Sequence, residues 1–91
     1  MSTIDKPTAL IAEDEPILGR TLRRLLEEVW PELAIAGVAE DGLQAVELTL
    51  TQCPDVLFLD IKMPGKSGLE VAATVADEWP EDKPEPLFVF V

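Results

Sequence analysis

Histidine is absent, cysteine occurs once, and 7 basic residues face 18 acidic ones. Without histidine the chain lacks the usual general base near neutral pH and the commonest zinc ligand. With Cys53 alone, no disulfide can close within the chain, and an inert half-buried thiol ahead of Pro54 is the plain reading of it. The shortage of bases leaves a net charge of -11. That charge argues against direct contact with nucleic acid or an anionic membrane surface and favours a metal ion or a basic partner surface. No apolar run is long enough to span a bilayer. The N-terminus has none of the charged, apolar and small-residue regions of a secretory leader. These absences point to a cytoplasmic protein with no membrane segment.

What is present fits one small globular domain over residues 1–91, with 47% hydrophobic and 27% charged residues. A chain of this size buries only about 60–65% of its unfolded surface, so its stability margin is thin. Apolar runs alternate with segments of helical spacing. "TALIA" at 8–12 reads as a buried strand. Asp14 is placed to cap the helix that follows, with Pro16 in its first turn and Leu18, Leu22, Leu25, Leu26 and Val29 at helical spacing. Trp30-Pro31 ends it. "LAIAGVA" at 33–39 is a second strand. Asp41-Gly42 turns into a second helix with Leu43, Val46 and Leu50 on one face, stopped by Pro54. "DVLFL" at 55–59 has no polar alternation, as a parallel strand covered on both faces would. Ser67 and Glu70 form a capping box for a third helix running through Trp79, with Leu69, Ala72, Ala76 and Trp79 on its buried face. A loop at 80–86 leads to a fourth strand, "LFVFV", at 87–91. This βαβαβαβ order predicts an α/β fold, a doubly wound parallel sheet with helices on both faces.

Right-handed crossovers put the carboxyl ends of all parallel strands on one side. If the strand order is 2-1-3-4, the first and third strands are neighbours, and the gap between them is the switch point where such sheets place ligands. Glu13 and Asp14 follow the first strand, and Asp60 follows the third. Taken alone, Glu13 and Asp14 are explained by helix capping and dipole pairing. Asp60 is harder to explain that way, because nothing in the "KMPG" that follows the next residue requires an acid there. Three carboxylates in one crevice repel each other unless a counter-charge intervenes. A hard divalent cation such as Mg²⁺ (or Mn²⁺) supplies it. An aspartate carboxylate can also attack phosphorus to form an acyl phosphate.

"LIAEDEP" and "LFLDIKMPGKSGLE", with the spacing between them, resemble the receiver domain of two-component response regulators. The wording "ALIAEDEP" with "MPGKSGLEVA" further resembles receivers that precede a LytTR-type DNA-binding domain. The resemblance covers the whole chain and implies a flavodoxin-like (CheY-like) fold. It implies that Asp60 is the phosphoacceptor. It makes Glu13 and Asp14 the metal acids, with the backbone carbonyl of Lys62 as a further Mg²⁺ ligand and Asp60 itself beside the ion. Met63, Pro64 and Gly65 then shape the loop beneath the site, and Gly68 opens the third helix. Glu13 stands where the family often has aspartate. The implied partners are a sensor histidine kinase and, through a C-terminal output domain missing here, DNA. In the family a Ser or Thr follows the fourth strand and a Lys follows the fifth, and both contact the phosphoryl group. The chain ends at Val91, so it is expected to be the first part of a receiver, lacking the fourth helix, fifth strand and fifth helix, and impaired in phosphorylation.

Such a module would catalyse only its own phosphorylation and dephosphorylation and is not an enzyme in the ordinary sense. A second reading, from another class, is a receiver-like structural or self-association module without phosphotransfer. An uncovered "LFVFV" edge would favour it by pairing chains into a homo-oligomer. A third is a Mg²⁺-dependent phosphohydrolase with Asp60 as nucleophile. That chemistry wants a second acid two residues on, and position 62 is lysine.

Overall fold

Alternating apolar runs and helix-spaced segments give β1 (Thr8–Ala12), α1 (Pro16–Val29), β2 (Ala34–Ala39), α2 (Gly42–Gln52), β3 (Val56–Leu59), α3 (Gly68–Glu78) and β4 (Leu87–Phe90). The computed structural model describes residues 6–91. The N-terminal stretch read above for a leader includes residues 1–5, which lie outside the described residues. The four strands form one sheet in the order β2-β1-β3-β4, with every pairing parallel, as expected. Ala12 stands beside Leu59 in the register, so β1 and β3 end level with each other.

Strand alternation sends side chains to two core layers. Leu10, Ala12, Leu57 and Leu59 pack with Ala45 of α2 and with Val71, Val75 and Trp79. Ala9, Ile11, Val56 and Phe58 pack on the other side with Leu22 and Leu26 of α1. All four residues of β3 are buried, which is why that run carries no polar alternation.

Local signals succeed where a side chain meets backbone. Asp41 accepts from the Gln44 N–H at 2.8 Å as the cap of α2. Ser67 and Glu70 form the full capping box of α3 at 2.9 and 3.2 Å. The expectation that Asp14 caps α1 fails. The cap position is Glu15, with no side-chain bond, and Pro16 opens the helix. Asp14 is left one residue outside, on the crevice. The inward faces of the helices also differ from expectation. In α3 Trp79 is buried and Ala72 packs against the core as expected, but Gly68, Val71 and Val75 are the buried residues within the helix, while Leu69 is 59% exposed and Ala76 is exposed. The cause is Gly68, which sits so close to the Asp60 carbonyl that no side chain fits, and this fixes the rotation of the helix. In α2 Val46 and Leu50 pack against the core as expected, Ala45 and Thr49 are the more deeply buried residues, and Leu43 is exposed. In α1 only Leu22 and Leu26 of the apolar repeat pack on the sheet; Leu18, Leu25 and Val29 are exposed.

β4 pairs with β3 only, among the described residues. Val91 continues that pairing by donating to the Leu59 carbonyl at 2.9 Å. The other edge of β4 is open, and Leu87, Phe90 and Val91 are 64%, 42% and 54% exposed.

Candidate functional site

The carboxyl ends of three strands are laced together by backbone. The Glu13 N–H donates to the Ala39 carbonyl at 2.9 Å, tying β1 to the end of β2. The Asp60 N–H donates to the Ala12 carbonyl at 2.9 Å, tying the end of β3 to β1. The residue that follows each of β1 and β3 is therefore held at a fixed height above the sheet.

Glu13, Asp14 and Asp60 meet there, each offering a carboxylate oxygen within 4.8 Å of the other two. The predicted convergence is thus present in space. Glu13 is 7% exposed, and Asp14 and Asp60 are half-buried. Two backbone donors face the cluster. The Glu15 N–H donates to Glu13 Oε2 at 3.2 Å, and the Lys62 N–H donates to Asp60 Oδ1 at 3.3 Å. The Lys62 side chain is exposed. Asp60 is therefore held by the turn that follows it, and the Lys62 peptide borders the crevice.

Burial raises the pKa of Glu13 above its ordinary value of 4.5. The negative charge of Asp60 and hydrogen bonding with the Asp14 and Asp60 side chains add to the rise, while the Glu15 N–H opposes it. A raised carboxyl pKa means that the folded chain holds this proton more tightly than the unfolded chain does. Glu13 therefore costs stability at neutral pH, and the cost disappears as pH falls through the folded value and below 4.5. Without divalent metal, Glu13→Gln is expected to raise the urea midpoint at about pH 7. The gain should shrink to nothing below 4.5. A wild-type midpoint equal to or above the variant's at neutral pH would contradict this.

The donor set suits a hard divalent cation, since all three groups offer oxygen and their mutual repulsion is what an ion would relieve. Pro64, in the loop that follows Asp60, also bonds to α2. Its carbonyl accepts from both Gly42 and Lys66, at 3.2 and 3.1 Å. Gly42 is the residue that sequence reasoning passed over, reading Asp41-Gly42 only as a turn into α2. A glycine just inside a capped helix start was the available signal, because nothing about capping requires glycine there.

Residues 9–88 match the model of the response regulator receiver domain, and the chain belongs to that family. It is 43% identical over 84 residues to an uncharacterized response regulatory protein of Vibrio cholerae, covering 92% of this chain and 31% of that protein. It is 41% identical over 69 residues to the transcriptional regulatory protein PdtaR of Mycobacterium tuberculosis, covering 76% of this chain and 33% of that one. The signal receiver domain of the putative response regulator NarL from Mycobacterium tuberculosis superposes with a TM-score of 0.77 at 28% identity, covering 94% of this chain and 84% of that structure. The fold is the CheY-like, flavodoxin-like one. The chain spans about a third of the length of these two curated relatives. No helix among the described residues is long and apolar enough to cross a membrane.

Proposed function

We propose that residues 1–91 belong to the phosphoacceptor receiver domain of a two-component response regulator, with Asp60 taking a phosphoryl group from a sensor histidine kinase. The observation that carries this reading is the meeting of Glu13, Asp14 and Asp60 at the level ends of β1 and β3. Asp60 directly follows β3 at the switch point, is more exposed than Glu13, and has one oxygen outside the Lys62 N–H bond. In the transfer a carboxylate oxygen of Asp60 forms a bond to phosphorus. The bond from phosphorus to the donor breaks, and the donor leaves with the electron pair. Glu13, Asp14, Asp60 and the Lys62 carbonyl are assigned to hold Mg²⁺ (or Mn²⁺). When bound, the ion neutralises charge developing on the phosphoryl oxygens. The backbone N–H of Lys62 keeps the acceptor turned toward the crevice. The phosphorylated state would control an output domain, here assigned as DNA-binding, transcriptional and of LytTR type, in the cytoplasm. The hydroxyl and lysine that the family carries after its fourth and fifth strands lie outside residues 1–91, so this stretch alone should accept phosphate slowly.

The open edge of β4 favours a second reading, in which the same 91 residues associate with further copies of themselves. Its apolar side chains and unpaired backbone groups offer a template for another strand. One preparation tests both readings. The chain is incubated with acetyl phosphate and Mg²⁺, its intact mass is measured, and its light scattering is followed with concentration. A stable added phosphoryl group supports the receiver reading. An unchanged mass with an oligomer supports self-association alone. Rapid turnover of the phosphodonor without lasting modification means hydrolysis. A compact monomer at high concentration removes self-association.

A further inference from the structure

The turn that carries the acceptor is gripped from the side by the first residue of α2. Gly42 donates its N–H to the Pro64 carbonyl at 3.2 Å. A Cβ on Gly42 would overlap the Lys66 carbonyl oxygen and would stand 2.6 Å from both Lys66 N and Lys66 Cβ. The atoms in its way are mostly backbone, so no rotamer change makes room. Gly42 itself cannot retreat easily. Asp41 just before it caps α2, and Ala39 at the end of β2 is bonded to the Glu13 N–H. The turn is pinned at both ends as well. Asp60 N–H is held by Ala12, and the Gly68 N–H donates to the Ile61 carbonyl at 2.8 Å. A closed circuit of backbone contacts therefore runs from Glu13 to Ala39, on to Gly42, across to the 64–66 turn, back to Asp60 and on to β1.

We propose that Gly42 is a positioning residue for the acceptor turn. By admitting Pro64 and Lys66 to van der Waals contact with α2, it sets where Asp60 and the Lys62 peptide stand relative to Glu13 and Asp14. The inference rests on the metal-binding role proposed above for those acids. A side chain at 42 pushes the 64–66 turn away from α2. The displacement is passed along the short stretch to Lys62 and Asp60, while Glu13 and Asp14 stay with β1.

The test is Mn²⁺ binding to the full 91-residue chain, read from the loss of the free-ion electron paramagnetic resonance signal. Gly42→Ala is expected to weaken Mn²⁺ about tenfold, the scale on which losing a group that supports metal ligands costs affinity. Val75→Ala, which opens a gap in the buried core on α3 far along the helix from the turn, lowers thermal stability without touching the circuit. It should leave the affinity unchanged at temperatures where both variants are folded. Gly65→Ala perturbs the same contact from within the turn, where an added Cβ would face Leu43 and Gly42, and serves if Gly42→Ala does not fold. Gly65 has φ of 84°, which strains an alanine, yet the nearest atom to an added Cβ is Leu43 Cγ at 3.7 Å. It too should weaken Mn²⁺. Binding lost in the Asp14→Asn, Asp60→Asn double variant but unchanged in the folded glycine variants would overturn the positioning role alone. Equal binding by wild type and the acid double variant would overturn the metal reading, and the proposal with it. An equal loss in Val75→Ala would show general loosening and also overturn it.

Discussion

Asp60→Asn is expected to fold, to gain stability in metal-free buffer, and to lose phosphoryl acceptance. Asparagine keeps the size and shape of aspartate and can still accept the Lys62 N–H bond. It has no anionic oxygen to attack phosphorus. Losing a nucleophile typically costs a catalysed step on the order of 10³-fold or more. In the 91-residue chain, where acceptance is already expected to be slow, the variant should show no phosphoryl mass at all. The stability gain has a separate origin. The Asp60 charge is one of the causes raising the Glu13 pKa. Removing it relieves a repulsion that the folded state alone experiences at neutral pH. Urea unfolding with a chelator should therefore place the variant above wild type. With Mg²⁺ in excess the order should narrow or reverse, because an ion bound only to the folded state adds stability that grows with the logarithm of one plus the ratio of free ion to its dissociation constant, and wild type binds it more tightly. A variant that still gains phosphate as wild type does would move the acceptor to another residue. A variant less stable than wild type in chelator would mean that the Asp60 carboxylate contributes more through its Lys62 bond than it costs.

The second large effect is on the fold. Leu57 is 1% exposed at the middle of β3, between its partners on β1 and β4 and against α3. Leu57→Ala removes three buried carbons and leaves a cavity that a backbone paired on both edges cannot collapse. Such changes cost about 2–5 kcal/mol. Typical stability for a chain of this length is only about 5–14 kcal/mol. The variant should lose a large part of its urea midpoint, with little change in the denaturant slope if it still unfolds in one step. It should also bind Mn²⁺ only when folded, since Asp60 is carried by the same strand. A loss below about 1 kcal/mol would indicate a core that closes around the gap, contrary to the packing of β3.

Much of this could be read in the residues. The parallel sheet followed from the alternation of strands and helices, and, once the strand order 2-1-3-4 was assumed, the three-acid crevice followed from right-handed crossovers and from where Glu13, Asp14 and Asp60 stand relative to their strands. The capping box at Ser67 and the cap at Asp41 were legible because each is a local bond between near neighbours. The inward faces of the helices were legible only in part, with Leu22, Leu26, Val46, Leu50, Ala72 and Trp79 packing as expected. Leu69 and Leu43 are apolar and at helical spacing, yet exposed, because helix rotation is decided by contacts remote in sequence, such as Gly68 against Asp60. The Asp14 cap failed for a related reason. Its identity suits a cap, but the helix begins one residue later than that cap requires. The grip of Gly42 on the acceptor turn was invisible for the same cause: a missing side chain shows its purpose only when the atoms that would meet it are known.

The place of β1 has a consequence for how the chain is made. It is made before β2 and β3 and, among the described residues, lies between them in the sheet. Parallel pairing cannot be closed by a tight turn, so β1 must wait for β2, which begins at Ala34, and again for β3, which begins at Val56. Loop closure over such distances is slow relative to local helix formation. Glu13 and Asp14 are synthesised early, but they meet Asp60 only when the third strand docks. The crevice is thus assembled from parts made at different times, and a cation bound there marks a chain whose β1 has met β3.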